Sequence, residues 1–468
     1  MLLDRSNLWP EQEDAISFIY ERDQWLLLAD VGTGKTVMAL TTIIEWFREG
    51  VADRVLVLAP TRVCQQVWAQ EIGIWYHLCG LSAVNLAGRS ETQRREAVAG
   101  NAHILLLNYE NLWWFMGEYE DAAGCNVLIC DEIDKLKGHQ TQRFKGDKYQ
   151  RGMKHYRENF EIVGGMTGTP TPNHLLDLWA QVFIVDGGKR LGPKFWDFRQ
   201  KFFYPEHAWS GHARWKPFAD TSRLLEDAIE DITFRIEAAT APGVRPVVRE
   251  LPPRWLALAP AAQKLYRKME RDYLVMIEDT RVSAADAAGR YGKLRQLAQG
   301  FAYPDDQDGS KWISRHKFRE LKALVSELQG QQLMIVYHFK AQAEELRRQL
   351  PGFEYIGGGV SQGYAQKQIK AWNAGDLELL GIHPQSAGHG LNLQHSGAHH
   401  ICMLTLPESA GLYQQVVGRL ARTSNEAAHV YVHKVLTERT VDVERLLAVE
   451  GKITSQAEML ERMKARQS

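Results

Sequence analysis

The chain has 468 residues, 45% of them hydrophobic and 24% charged, a globular composition with room for two or three domains. Its formal net charge is −1, so no global field draws it to nucleic acid, and such a partner would need a local basic groove. No apolar run approaches the roughly 18 residues of a membrane span, Met1-Leu2-Leu3-Asp4-Arg5 does not open a secretory signal, and the five scattered cysteines form no CxxC pair that would suggest a disulfide framework or a zinc site.

Leu8-Trp9-Pro10-Glu11-Gln12 precedes a first helix expected from Glu13 to Tyr20. The Gln12 amide offers one donor and one acceptor, enough to read an adenine edge, although a solvated side chain is the plainer alternative. The apolar run Trp25–Leu28 then leads into Ala29-Asp30-Val31-Gly32-Thr33-Gly34-Lys35-Thr36, with a helix-like segment following to Phe47. Strand, glycine-rich turn and helix, in that order, make a phosphate loop. Gly32, Thr33 and Gly34 let backbone N–H groups converge on an anion, Lys35 reaches the β- and γ-phosphates, and the Thr36 hydroxyl can ligate Mg2+.

Further apolar strands are expected at Val55–Ala59, Ile104–Leu107, Val127–Cys130 and Ile162–Met166, alternating with helical stretches. The pattern predicts a doubly wound parallel sheet whose ligands bind at the carboxyl ends of the strands. Pro60-Thr61, Asn108-Tyr109, Asp131-Glu132-Ile133-Asp134 and Thr167-Gly168-Thr169-Pro170 all stand at those ends. Asp131 can hold Mg2+ through water opposite Thr36, and Glu132 can orient or deprotonate an attacking water. Residues 140–158 interleave Arg143, Lys145, Lys148, Arg151, Lys154 and Arg157 with Phe144, Tyr149 and Tyr156, a pattern that suits a phosphate backbone and equally a solvated helix face. The aromatic-rich stretch 186–235 predicts a helical insertion, and residues 241–253, with Pro242-Gly243 and Pro252-Pro253, a linker.

The second half restarts the alternation at Leu333–Tyr337, Leu377–Ile382 and His400–Leu404, without a phosphate loop of its own. Gln415, Arg419 and Arg422 are spaced to share one helix face. An arginine finger and a plain surface helix both fit that spacing.

With these motifs in place, the chain resembles the superfamily-two helicases and, within them, the Swi/Snf-type DNA translocases. The resemblance runs from Leu8 to about Leu446 and is most specific in MTGTPTPNHLLDLWAQVFIVD (166–186), SAGHGLNLQHS (386–396), QVVGRLAR (415–422) and VYVHKVLTERTVDVERL (430–446). It implies an α/β protein of two RecA-like doubly wound parallel-sheet lobes in tandem, residues 1–240 with the helical insertion and 254–468 with a short helical tail at Ile453–Arg466. It implies ATP and Mg2+ as ligands, adenine reading by Gln12, and an arginine finger formed by Gln415, Arg419 and Arg422 that completes the site across a cleft. DNA contacts are expected at Pro60, Thr61, Asn108, Tyr109, Thr167, Ser386, Gly390 and Asn392, with Arg143 and Lys145 added from the basic run.

The implied activity is ATP-dependent movement along DNA, duplex rather than single-stranded, with RNA left open and no membrane partner. A strand-separating helicase on forked or branched DNA and an ATP-switched clamp are the alternatives. The chain also departs from the family pattern. The phosphate loop reads ADVGTGKT where the group usually has DEMGLGKT, Asp134 stands for the usual His, and Thr423-Ser424 for the usual Gly-Gln. With no accessory module visible, a compact phage or bacterial member is expected, in a bacterial cytoplasm or that of a phage's host.

Overall fold

A computed structural model describes residues 2–451 except 31, 169, 171–173, 207–213, 238–245, 273, 278–279, 286, 306–308, 388–390 and 423–424. The predicted apolar runs become β1 (Gln24–Ala29), β2 (Val55–Ala59), β4 (Ile104–Asn108), β5 (Val127–Asp131) and β6 (Ile162–Thr167), with a short β3 (Ala83–Asn85) between the second and third of these. β2, β4, β5 and β6 are buried along their whole length, as parallel strands covered on both faces must be. β7 (Phe203–Glu206) and β8 (Arg214–Pro217) pair antiparallel off the sheet, and β9 (Thr233–Ile236) joins it beside β1. The strand order is β3-β4-β2-β5-β6-β1-β9, parallel throughout.

Period-two alternation sorts the strand side chains onto two cores. Leu26, Leu56, Leu105 and Leu128 pack on one face with Leu112, Phe115, Trp179 and Phe198. Leu27, Val57, Leu106 and Ile129 pack on the other with Ile16, Met38, Ile43 and Trp68. Each of these aliphatic side chains contributes on the order of 1.5–3 kcal/mol by leaving water. The stretch expected as a helical insertion does hold the helices Phe195–Phe202 and Thr221–Ile229, but it also carries β7, β8 and the sheet strand β9. Its last strand is therefore part of the lobe's frame.

The chain divides between Pro242 and Gly243 into two compact units. Part of the stretch expected as linker is instead strand, β10 (Val247–Glu250), and it lies with the strand that follows the stretch, β11 (Arg254–Leu256), along the last strand of the second sheet. Two small antiparallel pairs follow, β12 (Leu274–Ile277) with β13 (Thr280–Ser283), and β14 (Phe301–Ala302) with β15 (Lys311–Trp312). The main strands are β16 (Leu333–Val336), β17 (Glu354–Ile356), β18 (Leu379–Ile382), β19 (His400–Met403) and β20 (His429–Thr437), in the order β10-β20-β19-β16-β18-β17 and parallel. Met334, Val336 and Ile401 face one core, while Leu333, Ile335 and Cys402 face the other with Leu321 and Leu346. The chain is therefore α/β with two parallel-sheet lobes. Among the described residues no helix is long and apolar enough to cross a membrane. The expected tail at Ile453–Arg466, Gly390 and the Thr423-Ser424 departure lie outside the described residues.

Candidate nucleotide site and nucleic-acid face

β1 delivers the chain into the loop at Ala29, and the helix Lys35–Glu49 leaves it. Gly34 caps that helix at φ 83°, ψ 32°, a left-handed conformation that side-chain-bearing residues avoid, and a Cβ there would run into the Gln12 amide. No side chain caps the helix, so its first-turn N–H groups are available to an anion. Lys35 Nζ donates to the Ala29 carbonyl at 2.9 Å, lying back over the loop. Thr33 is buried and its hydroxyl donates to the Asp30 carbonyl at 2.8 Å.

Gln12 is not solvated: it is 4% exposed. Its Oε1 accepts from the Trp9 N–H at 2.9 Å, and its Nε2 donates to the Thr33 carbonyl at 2.8 Å. One N–H and one lone pair of the amide remain for a base edge. The residue read as an adenine reader is thus also tied to the loop that would hold the phosphates.

Sequence reasoning missed Arg235 of β9. This buried guanidinium donates through Nη2 to Asp30 Oδ1 at 2.9 Å and through Nη1 to the Leu28 carbonyl at 3.0 Å. The Asp30 N–H in turn donates to the Ile236 carbonyl at 3.1 Å. Asp30, one of the departures from the family pattern, is therefore the anchor of the loop to the edge strand. Its partner lies 205 residues away, so no local signal could have shown the pair. The Arg235→Met variant is expected to raise the KM for ATP about tenfold, since about 1.4 kcal/mol of loop positioning corresponds to that factor. An unchanged KM would show that the pair does not set the loop.

β5 ends at Asp131, and Glu132 follows at φ 60°, ψ 57°, left-handed and uncommon for a residue with a side chain. Tyr109 holds this turn: its hydroxyl donates to the Asp131 carbonyl at 2.9 Å and to the Glu132 carbonyl at 3.3 Å. Trp68 Nε1 donates to Asp131 Oδ2 at 3.1 Å. Burial first, then the Glu132 charge, pushes the Asp131 carboxyl up to about 6, against the pull of Lys35. Burial and Glu132 likewise push Asp134 up to about 7. Glu132 Oε2 and Asp134 Oδ1 are buried without a hydrogen-bond partner. Glu132 and Lys35 thus both act electrostatically on Asp131, in opposite directions. The oxygen donors suit a hard divalent cation. Among the described residues no three His, Cys, Asp or Glu side chains form a metal cluster, so Mg2+ would rest on Asp131, the Thr36 hydroxyl and the nucleotide's own phosphates.

A second cluster stands at the ends of β2 and β4. Asn108 Nδ2 donates to Glu110 Oε2 at 2.8 Å and to Thr61 Oγ1 at 3.2 Å, and the Thr61 hydroxyl donates to Glu110 at 3.2 Å. Burial works to raise the Glu110 carboxyl, but its own N–H, Asn108, Thr61 and the charge of Arg143 together hold it below the usual range. Thr61, Asn108 and Arg143 therefore gather on one side, and Lys145 is exposed at the end of the helix Gln142–Lys145. Three other residues named for DNA contact present no side chain there. Pro60 and Thr167 are buried, and the Tyr109 ring is committed beneath the acidic turn.

In the second unit the helix Ala410–Val417 is capped by Ser409, whose hydroxyl accepts from the Leu412 N–H at 3.2 Å. The expected continuous helix through Arg422 is not formed. It ends at Val417 with Gly418 as its C-cap, and i→i−3 bonds from Arg419 to Val416 and from Leu420 to Val417 tighten the chain into turns. Gln415 and Arg419 are buried. Arg419 Nη1 donates to the Leu391 carbonyl at 3.1 Å, and Arg422 Nη1 to Asn392 Oδ1 at 2.9 Å. Turn geometry, not a shared helix face, thus brings Arg419, Arg422 and Asn392 together, and Gln415 Oε1 is buried without a partner. Ser386 belongs to the short helix Pro384–Ala387.

Residues 9–178 match the family model of the DEAD/DEAH box helicases, and residues 316–424 that of the helicase conserved C-terminal domain. The two lobes, the phosphate loop and the acidic turn define a superfamily-two helicase, the class of nucleic-acid-dependent, ATP-binding ATPases. Over 470 residues the chain is 28% identical to protein p41 of Acyrthosiphon pisum secondary endosymbiont phage 1, covering 97% of this chain and 98% of that one. It is 23% identical to the Xenopus laevis SWI/SNF-related matrix-associated actin-dependent regulator of chromatin subfamily A-like protein 1, over 93% of this chain and 42% of that one. Within this class the chain is thus similar to a relative of the SWI/SNF type. It spans 15% of the mouse excision-repair relative it matches, and 42% of the Xenopus one. The Sulfolobus solfataricus SWI2/SNF2 ATPase core in complex with dsDNA aligns at 18% identity and a TM-score of 0.44, covering 98% of this chain and 95% of that one.

Proposed function

We propose that this protein couples Mg-ATP hydrolysis to movement along duplex DNA. The observation that carries the reading is the acidic turn, where a half-buried Glu132 in left-handed backbone carries a buried, unpartnered Oε2 and, like Lys35, acts on the neighbouring Asp131. A half-buried carboxylate with one buried oxygen left unpaired suits proton acceptance from water better than it suits stability. DNA as the track is supported by relatives whose names are those of DNA repair and recombination or chromatin regulator proteins.

In this reading Lys35 leaves the Ala29 carbonyl for the nucleotide's terminal phosphates, and Gln12 reports on the base to the loop through Thr33. Thr36 and Asp131 would hold Mg2+, which supplies charge neutralisation on the phosphate oxygens. Glu132 takes the water's proton. Arg419 and Arg422, held in place by the Leu391 carbonyl and Asn392, are assigned to neutralise charge developing on the transferred phosphoryl group. The cluster of Thr61 and Asn108 with Arg143, together with Asn392, is assigned to the DNA backbone, and successive nucleotide states change the grip of the two lobes on it. The domain limits 1–240 and 254–468, with the intervening linker shortened by β10, remain part of this proposal.

The test is the ATPase rate with no nucleic acid, single-stranded DNA, duplexes of increasing length, branched DNA and RNA. Duplex DNA is expected to stimulate the rate, which should rise with duplex length before it saturates, and Lys35→Ala is expected to abolish the stimulated rate. A stimulated rate that ignores length would identify a clamp instead, and stimulation by RNA alone would replace the track. Binding should also fall steeply with salt, because each neutralised phosphate releases a counterion.

A further inference from the structure

The basic run at 140–158 is not the helix face its charge pattern allowed. The short helices Gln142–Lys145 and Met153–Tyr156 are separated by a tight hairpin closed by an antiparallel bridge between Gly146 and Arg151. The Asp147 N–H donates to the Gln150 carbonyl at 2.9 Å. Its carboxylate accepts from the Tyr149 N–H at 2.8 Å, the Gln150 N–H at 3.0 Å and Gln142 Nε2 at 2.8 Å. The two strands of the hairpin approach so closely that a Cβ at Gly146 or Gly152 would collide with main chain. Gln150 Nε2 braces the hairpin to the Trp113 carbonyl at 2.7 Å, and Phe144, Met153 and Tyr156 bolt its base into the core.

This scaffold presents Tyr149 at 83% exposure, the highest of the exposed large hydrophobic side chains among the described residues. Lys148 Nζ lies 4.5 Å from the centre of its ring, and Lys145 and Arg151 are exposed beside it. The one acid of the tip, Asp147, spends its lone pairs inside the turn. The hairpin also flanks the face assigned to DNA: Arg143, in the helix that enters it, acts on Glu110, and Gln150 reaches the helix Leu112–Glu118 that follows the Asn108–Glu110 cluster.

A main chain ordered before binding has already met its entropic cost, and an exposed ring with Lys148 against it and Lys145 and Arg151 in the same basic run offers a base its π-face and the backbone its charge. In paired DNA the base faces are covered, and side chains that wedge into paired steps are apolar ones such as Phe, Leu or Met. A tyrosine with a wet hydroxyl suits a base that is already unpaired. We propose that the Tyr149 hairpin is a junction-sensing pin, which stacks Tyr149 on the first unpaired base where duplex DNA opens into single strand while Lys145, Lys148 and Arg151 hold the adjoining phosphates. The proposal rests on DNA being the track and specifies the form of DNA engaged by this lobe.

Binding of the nucleotide-free full chain to a forked DNA and to a fully paired duplex of equal length separates the possibilities. A 2-aminopurine at the first unpaired position of the fork reports stacking. The wild type is expected to bind the fork at least about fivefold more tightly, the lower end of what one base–aromatic stack supplies, and to quench the 2-aminopurine. Tyr149→Ala should abolish both the preference and the quench, and Tyr149→Trp should keep both. The substitution touches no core contact, so loss of fold is not a competing explanation. A preference that survives Tyr149→Ala, a wild type without preference, or an equal loss on both DNAs would overturn the pin. The duplex-stimulated ATPase rate reads the translocase assignment separately: no stimulation with an intact fork preference would overturn the motor and leave the pin.

Discussion

The Glu132→Gln protein is expected to bind ATP about as tightly as the wild type and to turn it over at least about a hundredfold more slowly, the range general-base groups usually command. The same substitution is expected to raise the melting temperature. Glu132 is the second cause, after burial, of the upward shifts at Asp131 and Asp134, so replacing its charge by a neutral amide of the same shape removes repulsion from both neighbours. Glutamine can keep the left-handed backbone at φ 60°, and the Tyr109 bonds go to main-chain carbonyls that the change does not touch. Stability rising while kcat collapses is the signature of a group kept for chemistry at the expense of the fold. A thermal melt, a nucleotide-binding isotherm and a steady-state ATPase assay on one preparation check all three parts. Wild-type turnover would remove Glu132 from the mechanism, and a lowered melting temperature would show that its carboxylate is structurally paired.

How much of this could be read from the sequence follows from how local each feature is. The phosphate loop and the acidic turn are contiguous residues at the ends of apolar strands, and period and composition locate both. The loop's anchor does not share that property. Asp30 looks like a departure from a pattern until β9 brings Arg235 beside it, and nothing in either residue's neighbourhood announces the other. Tyr109 shows the converse failure. Its place after β4 marks it for the ligand face, but strand ends supply buried side chains as well as exposed ones, and its hydroxyl went to the turn of the next strand. The spacing of Gln415, Arg419 and Arg422 fits a helix face arithmetically. Gly418 ends the helix between them, and the same cluster is then formed by turns that also collect Asn392. In the run 140–158 charge periodicity was uninformative because Gly146, Asp147 and Gly152 fold it back on itself.

The second large effect concerns stability, in the lobe without the phosphate loop. Lys317, 1% exposed in the helix His316–Glu327, donates through Nζ to Asp442 Oδ2 at 2.7 Å and to the Leu404 carbonyl at 3.0 Å. Asp442 Oδ2 also accepts from the Thr437 N–H at 3.0 Å, so one carboxylate joins that helix to the end of β20. Burial pushes the Lys317 ammonium below its usual range, against the pull of Asp442. Lys317→Met is expected to destabilise the lobe by about 3–5 kcal/mol, because it leaves a buried carboxylate without its partner. The double replacement Lys317→Met with Asp442→Leu is expected to recover most of that loss, since an apolar pair of similar volume carries no charge to desolvate. Urea unfolding of the wild type, both singles and the double closes the cycle. Singles that cost under about 1 kcal/mol would mean that the pair is screened as a surface bridge is. The consequence reaches the arginine turn as well. Leu404 ends the run from β19 that leads on to the helix Ala410–Val417, and Asp442 lies in VYVHKVLTERTVDVERL, a segment that the sequence offered only as likeness. The buried pair gives that segment a physical task, which is to fix the strand that feeds the helix before Arg419 and Arg422.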